Sequence, residues 1–350
     1  MAGRDERVLV TGGGGFIGHA LVVDQLRRGR RVRSLDRAHP VPLPSDLAPA
    51  GERLAGSILD SGALARACAG CARVFHLASA HLEVRARERH YRRTNVDGTR
   101  TVVEAAAAAG AARVVHVSTV GVYGRHAGEI VAEDSPTAPT IAYERTKLEG
   151  ERAARETAAA RGIELVIARP SWVYGPGCRR TGKIFAAIGK RRFPMIGRGR
   201  PRRDGLYIDD ATRGLDSLGT HPAAAGETFL LVSGEAPTVR EWVDAIAAAQ
   251  GVPPPRLGWP VAAMWLAGFG MELAGWLTCR EPPFSRRSLK FYTNATVFDP
   301  GKIRRIVGFE PAVGWREGIR RTAEALRAAG GGRSDPDPCA GGDARGADLS

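Results

Sequence analysis

The chain has 350 residues, 43% hydrophobic and 25% charged, a balance that suits one large globular core or two smaller ones and excludes a fibrous or wholly disordered protein. Residues 1–10 are too few and too charged for a secretory leader, no long charge-free apolar run reads as a membrane span, and five cysteines is an odd number, so a reducing cytoplasm with free thiols is the expectation. The net charge of +14 reads either as a compositional bias toward arginine or as attraction for an anionic partner; no finger, basic zipper or RNA-binding aromatic pattern accompanies it, so nucleic acid is not expected.

In chain order, "RVLVT" (7–11) reads as a buried strand, followed by a glycine run and a helix near 16–29. The run contains Gly12-x-x-Gly15-x-x-Gly18 and also Gly13-x-Gly15-x-x-Gly18; Thr11 and Gly12 directly after the strand favour the first. Such a run serves a tight turn, close approach of the backbone to a pyrophosphate and packing of helix on sheet. The anion then rests on N–H groups at the helix start, where Phe16 and Ile17 stand. The next strand, "RVRSLD" (31–36), ends in Asp36, eighteen residues after Gly18. A carboxylate there accepts both hydroxyls of an adenosine ribose and repels a 2′-phosphate, which favours NAD; Arg37 beside it keeps NADP open.

A helix near 60–70 precedes the strand "RVFHLAS" (73–79). A helical stretch at 82–110 contains "TNVDGT", read as a functional interruption or a helix start. The strand "RVVHVST" (113–119), a helix at 141–161 and the strand "ELVIARP" (164–170) complete an α/β, Rossmann-type doubly wound parallel sheet with helices on both faces. After Pro170 the rhythm breaks: 175–205 is rich in Gly, Pro and Arg, and "GLYIDDATRGLDSL" returns to strand then helix. "TVREWVDAIAAAQG" reads as a helix capped by Thr238 and stopped by Gly251, "PPPRLGWP" as a connector, and 311–328 ends in an amphipathic helix. The expected division is a dinucleotide-binding domain over 1–175 and a smaller C-terminal substrate domain over 176–329, with strands returning to the sheet. The tail 330–350 has almost no apolar content and is expected to be disordered.

"AYERTKLEGE" places Tyr143 and Lys147 at i, i+4, on one face of a helix. A phenol near pKa ~10 is a poor base at neutrality, and a neighbouring ammonium lowers that value. The pair can then shuttle a proton while a nicotinamide moves a hydride. "HVSTVGVYG" sets the hydroxyls of Ser118 and Thr119 at a strand end, where one can hold the substrate oxygen against Tyr143.

With these residues in hand, the chain resembles the extended short-chain dehydrogenase/reductase family, that is, the NAD-dependent epimerase/dehydratase superfamily. "TGGGGFIG", "VFHLAS", "TNVDGT", "VSTVGVYG", "YERTK" and "ARPSWVYGPG" occur in family order over about 7–177, and "RRDGLYIDDATRG" and "FDPGKIRRIVGFEPAVGWREGIRRT" extend the likeness to about 325. The resemblance implies that Tyr143 is the acid/base, that Lys147 is its electrostatic partner and binds the nicotinamide ribose, and that Thr119 holds the substrate hydroxyl with Ser118 beside it. It further implies that Leu77 and Ala78 line the cofactor and that Pro170 and Ser171 lie near the carboxamide. One departure concerns adenine: the family often has "GD" before the "Ile-x-Asp" that ends its third strand, whereas "GSILD" puts Ser57 there, leaving the Ile58 backbone or Asp60 to do that work. The resemblance also implies a homodimer through the long helix containing the tyrosine and the one before it.

Two subgroups compete for the substrate. Nucleotide-sugar epimerases and dehydratases usually carry Asn where this chain has Trp172, yet use an Arg at the position of Arg203 on a diphosphate; Arg179, Arg180, Lys183, Lys190, Arg191 and Arg192 add positive field or a solvated basic surface. The 3β-hydroxysteroid and sterol dehydrogenase-like proteins share the "ARPSWVYGPG" form and an apolar segment here at 261–279, which could line a pocket, touch a membrane interface peripherally or lie buried. The expected activity is an NAD(P)-dependent oxidoreductase interconverting a secondary alcohol and ketone on an apolar small molecule. The alternatives are a nucleotide-sugar epimerase or reductase and a non-catalytic dinucleotide-sensing regulator; the presence of both Tyr143 and Lys147 argues against the last. Cys68-x-x-Cys71 and the trio His76, His81 and His90 read as structural, so no metal is expected. Glu129, Glu133 and Asp134 are not adjacent to Thr119, which disfavours lyase chemistry.

Overall fold

The computed structural model describes residues 6–81, 87–126, 130–255, 258–278, 289 and 295–330. The first part of the expected helix at 82–110 and nearly all of the tail from 330 lie outside the described residues. In chain order the strands are β1 (Arg7–Thr11), β2 (Arg31–Asp36), β3 (Gly51–Ala55), β4 (Arg73–His76), β5 (Arg113–Val117), β6 (Ile130–Val131), β7 (Glu164–Pro170), β8 (Trp172–Tyr174), β9 (Met195–Ile196), β10 (Gly205–Tyr207), β11 (Thr228–Leu231), β12 (Gly258–Trp259) and β13 (Val297–Phe298). Seven of them form one parallel sheet in the order β11-β7-β5-β4-β1-β2-β3. The chain runs outward from β1 to β3, then crosses back to β4 on the other side of β1. That reversal opens a crevice at the carboxyl ends of β1 and β4.

The helices are α1 (Phe16–Arg27), α2 (Ser61–Cys68), α3 (Glu88–Arg92), α4 (Gly98–Ala108), α5 (Ala142–Arg161), α6 (Arg179–Gly189), α7 (Ile208–Thr220), α8 (Val239–Ala249) and α9 (Val261–Thr278), with Gly301–Val307 and Trp315–Gly330 at the end. Side chains alternate across the sheet, and the core divides accordingly. Val8 and Val10 join Leu21, Leu215 and Leu218 under α1 and α7, while Leu9 and Val74 join Leu64, Val102 and Ala154 under α2, α4 and α5. Burial on both faces is why the central strands are continuous apolar runs. The first of these cores continues into the C-terminal half through Tyr174, Tyr207, Trp242 and Trp315.

Two strands of the sheet, β3 and β11, were not among the five read as buried runs. β3 is an edge strand of half-buried and charged residues, "GERLA", and β11 has four residues that become a strand through pairing with β7. The "TNVDGT" interruption is a π-helical turn, Arg93–Asp97, between α3 and α4. α8 starts and ends as expected: Thr238 Oγ1 accepts from Glu241 N–H at 3.2 Å, and Gly251 follows with φ +69°. Among the described residues no helix is long and apolar enough to cross a membrane.

Candidate active site

β1 delivers the chain into the glycine loop. Gly12 adopts φ +75°, and a Cβ there would lie 2.6 Å from Ala78 N. A Cβ on Gly13 would lie 2.1 Å from Ser34 Oγ, on Gly14 1.9 Å from Ala38 O, and on Gly18 2.0 Å from Gly12 O. These four glycines are demanded by the chain's own packing. Gly15 is different: its φ of −76° is ordinary, and a Cβ would meet only Gly12 O, at 3.3 Å. Gly15 is also the N-cap of α1, and no side chain caps that helix. The first-turn N–H groups, those of Phe16 and Ile17 among them, therefore face the side that Gly15 keeps clear. Room and donors together fit a dinucleotide pyrophosphate.

The surrounding residues agree with that fit. Asp36 ends β2 with Oδ2 accepting Gly14 N–H at 2.9 Å and Oδ1 accepting Arg37 N–H at 2.6 Å, so the carboxylate lies over the loop. Arg37 is exposed beside it. Leu77 N–H donates to Thr11 O at 3.0 Å and Ala78 backs onto Gly12, which makes the opposite wall backbone. The Ile58 side chain is buried and pressed toward Gly98, leaving only its backbone for a ligand. Asp60 Oδ1 caps α2 by accepting Ala63 N–H at 3.0 Å.

α5 carries Tyr143 and Lys147 on one face. Glu144 Oε2 fixes its start by accepting Thr140 N–H and Oγ1–H, both at 2.8 Å, and Gly162 ends it with φ +67°. Lys147 Nζ donates to Val117 O at 2.7 Å, at the carboxyl end of β5. Burial lowers this ammonium to about 8, opposed by the carboxylate of Glu151 one turn on. Tyr143 is half-buried at the same face, one turn earlier. Burial pushes its phenol up, and Glu144 and Tyr91 add to the shift. The downward shift expected from Lys147 is not seen: the phenol of Tyr143 is shifted upward.

The two candidate hydroxyls point to different places. Thr119 Oγ1 accepts Gly121 N–H at 3.0 Å, which leaves its own proton to donate. A Cβ on Gly121 would lie 3.1 Å from Glu144 Cγ and 3.3 Å from Thr119 Oγ1, so Thr119 stands beside the first turn of α5. Ser118 instead donates to buried Glu151. Glu151 holds Arg169 through two bonds of 3.0 and 2.7 Å, and Arg169 donates to Tyr123 OH at 2.6 Å. Ser118 thus belongs to an ionic network behind Lys147.

The contacts of two residues, Asn95 and His81, did not follow from the sequence reading. Asn95, in the π-helical turn, accepts from Ala80 N–H at 2.8 Å and donates to Thr146 Oγ1 at 3.1 Å, tying the loop after β4 to α5. The signal was the interrupted "TNVDGT". His81, at the end of that loop, meets the Tyr143 ring edge-to-face at 4.9 Å and 84°. On the other side of the crevice, Pro170 is buried at the end of β7 and Ser171 Oγ donates to Asp204 Oδ1 at 2.6 Å. Asp204 also accepts from Ser233 N–H, Ser233 Oγ–H and Gly234 N–H at 3.1, 2.9 and 3.0 Å, knotting β7, β10 and β11 together. Trp172 is half-buried, 5.2 Å from Trp242 and 5.6 Å from Tyr174 between ring centroids. Arg203 is half-buried, and burial with Arg180 nearby lowers its guanidinium to about 10.

The profile of the NAD dependent epimerase/dehydratase family matches residues 8–231. The chain belongs to that family. It is thus an NAD-dependent enzyme of the extended short-chain dehydrogenase/reductase type, and its cofactor is NAD. It is 29% identical to a 2-alkyl-3-oxoalkanoate reductase of Stenotrophomonas maltophilia, over 90% of this chain and 98% of the relative. It is 29% identical to a 3 beta-hydroxysteroid dehydrogenase/Delta 5-->4-isomerase of Mycobacterium tuberculosis, over 87% of this chain and 86% of the relative. Among solved structures it resembles DesIV, a dTDP-glucose 4,6-dehydratase of Streptomyces venezuelae with NAD and TYD bound, at 27% identity and a TM-score of 0.74, over 93% of this chain and 98% of that one.

Cys68, Cys71 and His76 are buried within the fold. Cys68 and Cys71 are buried free thiols, and burial pushes the Cys68 thiol up to about 12. His76 pins β4 to its neighbours through Thr11 Oγ1 at 2.8 Å and Thr99 Oγ1 at 3.0 Å. Among the described residues no three His, Cys, Asp or Glu side chains gather as a metal set.

Proposed function

We propose that this enzyme interconverts a secondary alcohol and a ketone on an apolar, sterol-like or natural-product substrate. The observation that carries the reading is Tyr143 and Lys147 on one face of α5, with Lys147 Nζ on Val117 O at the carboxyl edge of the sheet. Bound NAD supplies or accepts the hydride at its nicotinamide. In the reducing direction, Tyr143 gives its phenolic proton to the carbonyl oxygen, and the Thr119 hydroxyl donates a second hydrogen bond to that oxygen. The Lys147 ammonium stabilises the phenolate that remains and holds the nicotinamide ribose, while Glu151 keeps that ammonium charged. With the Ser171 hydroxyl committed to Asp204, backbone at Pro170 and Ser171 is left for the carboxamide.

The substrate class rests on Trp172. Its ring offers a flat apolar surface backed by Trp242 and Tyr174, which suits an alkyl chain or fused rings. Two relatives' names, a 3-oxoalkanoate reductase and a steroid dehydrogenase, support this reading, whereas DesIV is named as a dTDP-glucose dehydratase. A nucleotide-sugar epimerase or reductase is the second reading, favoured by half-buried Arg203 with Arg180 nearby, which together would neutralise a diphosphate. A homodimer would bury α4 and α5, and a two-part division at about 175 would put Trp172 at the junction. The deciding experiment is NADH formation from hydroxysteroids and 3-hydroxyalkanoates against UDP- and dTDP-sugars. Turnover of the first group and none of the second is expected; turnover confined to the sugars would overturn the substrate class.

A further inference from the structure

One surface stands apart from the site. Among the described residues, eight large hydrophobic side chains are exposed, and six of them cluster on β12 and α9: Trp259, Val261, Trp265, Leu266, Phe269 and Met271. Leu266 is 64% exposed and Trp259 58%. Scattered exposed apolar residues are ordinary, but six in one short stretch are not. From Val261 to Thr278 only Glu272 and Thr278 are polar, and Met264 is the residue packed against the core.

The second feature is charge. β12 pairs with β9, and Gly197 N–H donates to Trp259 O at 2.8 Å. The chain on either side of β9, residues 190–203, contains no acid. Lys190, Arg191 and Arg192 precede β9, Arg198 and Arg200 follow it, and all five are exposed. Arg191 has φ +54°, the sole non-glycine in the left-handed region among the described residues. Arg191 takes that conformation as the residue that ends α6, with its N–H on Ile188 O at 2.9 Å and the Arg192 N–H on Ala187 O at 2.8 Å.

We propose that β12, α9 and the basic ribbon around β9 form a docking surface for an anionic bilayer. The apolar side chains of α9 enter the interface and the arginines meet the lipid phosphates. α9 lies on the membrane, since no described helix is long and apolar enough to cross it. A second copy seated on this face with the two-fold axis beside the ribbon would bring the two basic ribbons together. α6 links Arg180, near Arg203 of the crevice, to Lys190 of the ribbon over about 15 Å. Docking therefore sets the crevice close to the pool in which apolar compounds collect.

The test is co-sedimentation of the full chain with vesicles of phosphatidylcholine alone or mixed with phosphatidylglycerol. Binding about tenfold or more tighter to the mixed vesicles, weakened by salt, is expected. Trp265→Ser/Leu266→Ser/Phe269→Ser and, separately, Arg191→Gln/Arg192→Gln/Arg198→Gln/Arg200→Gln should each lose it while still binding NAD. Should the serine variant misfold, the glutamine variant and the salt dependence carry the test. Equal or no binding to the two vesicle types would overturn the proposal. So would variants that sediment like the parent, or a parent dimer that the serine variant converts to monomer. No substrate or turnover enters this assay, so its failure is separate from any failure of the alcohol–ketone reading.

Discussion

The glycine-loop side of the crevice and the side formed after β7, β10 and β11 are held together in different ways. On the first, backbone meets backbone, Gly12 against Ala78 and Gly18 against Gly12, and the Asp36 carboxylate accepts the Gly14 N–H at 2.9 Å. On the second, side chains far apart in sequence converge. Asp204 gathers Ser171, Ser233 and Gly234, and the rings of Trp172, Trp242 and Trp315 form a chain with centroid spacings of 5.2 and 5.4 Å. A wall of close backbone contacts allows few residue types, whereas a wall of side chains can be rebuilt for another ligand. The first is thus suited to one cofactor, and the second is the side on which the proposed substrate contacts, Trp172 and Arg203, stand.

That contrast breaks if the glycine loop tolerates bulk. Gly18→Ala has the largest expected effect, because the added carbon must displace the Gly12 carbonyl; about 3 kcal/mol of stability should be lost in a denaturant titration. Gly15→Ala meets one atom at 3.3 Å and should keep the fold while weakening NAD binding. Equal loss of stability in both would show that Gly15 serves packing as well.

Next comes the network behind Lys147. Glu151→Gln leaves buried Arg169 short of its counter-charge, at a cost of about 3 kcal/mol. It also removes the group that supports the Lys147 ammonium, so the lysine's value drops below about 8 and the alkaline loss of reductase activity moves to lower pH. The linkage has a definite sign. Lys147 is depressed in the folded chain, so its charge costs stability at pH below about 8, and that cost fades as pH rises toward the ordinary 10.5. A purely structural Glu151 would lower stability without moving the pH profile. The smallest expected effect is that of Asp36→Ala: NAD should bind about tenfold more weakly, with relaxed discrimination against NADP, as read by titration of both. A parent enzyme that already prefers NADP would contradict the role given to Asp36.

The same contrast explains what could be read from the sequence. Gly12, Gly15, Gly18, Asp36, Tyr143 and Lys147 lie within short spacings set by one turn or one helix face, so their placement followed from pattern. Ser118 and Thr119 were legible only as a pair, because which hydroxyl faces Glu151 depends on strand geometry. The roles of Asn95, His81 and Asp204 depend on partners brought in by tertiary folding. β11 was missed for the same reason, since "TFLL" becomes a strand only beside β7.

The central claim is that the Tyr143 phenol moves the proton beside bound NAD. Tyr143→Phe tests it most directly, with turnover and NAD affinity measured on the same preparation. Turnover should drop about a thousandfold or more while the NAD dissociation constant stays within about a factor of two; turnover near that of the parent would contradict the account.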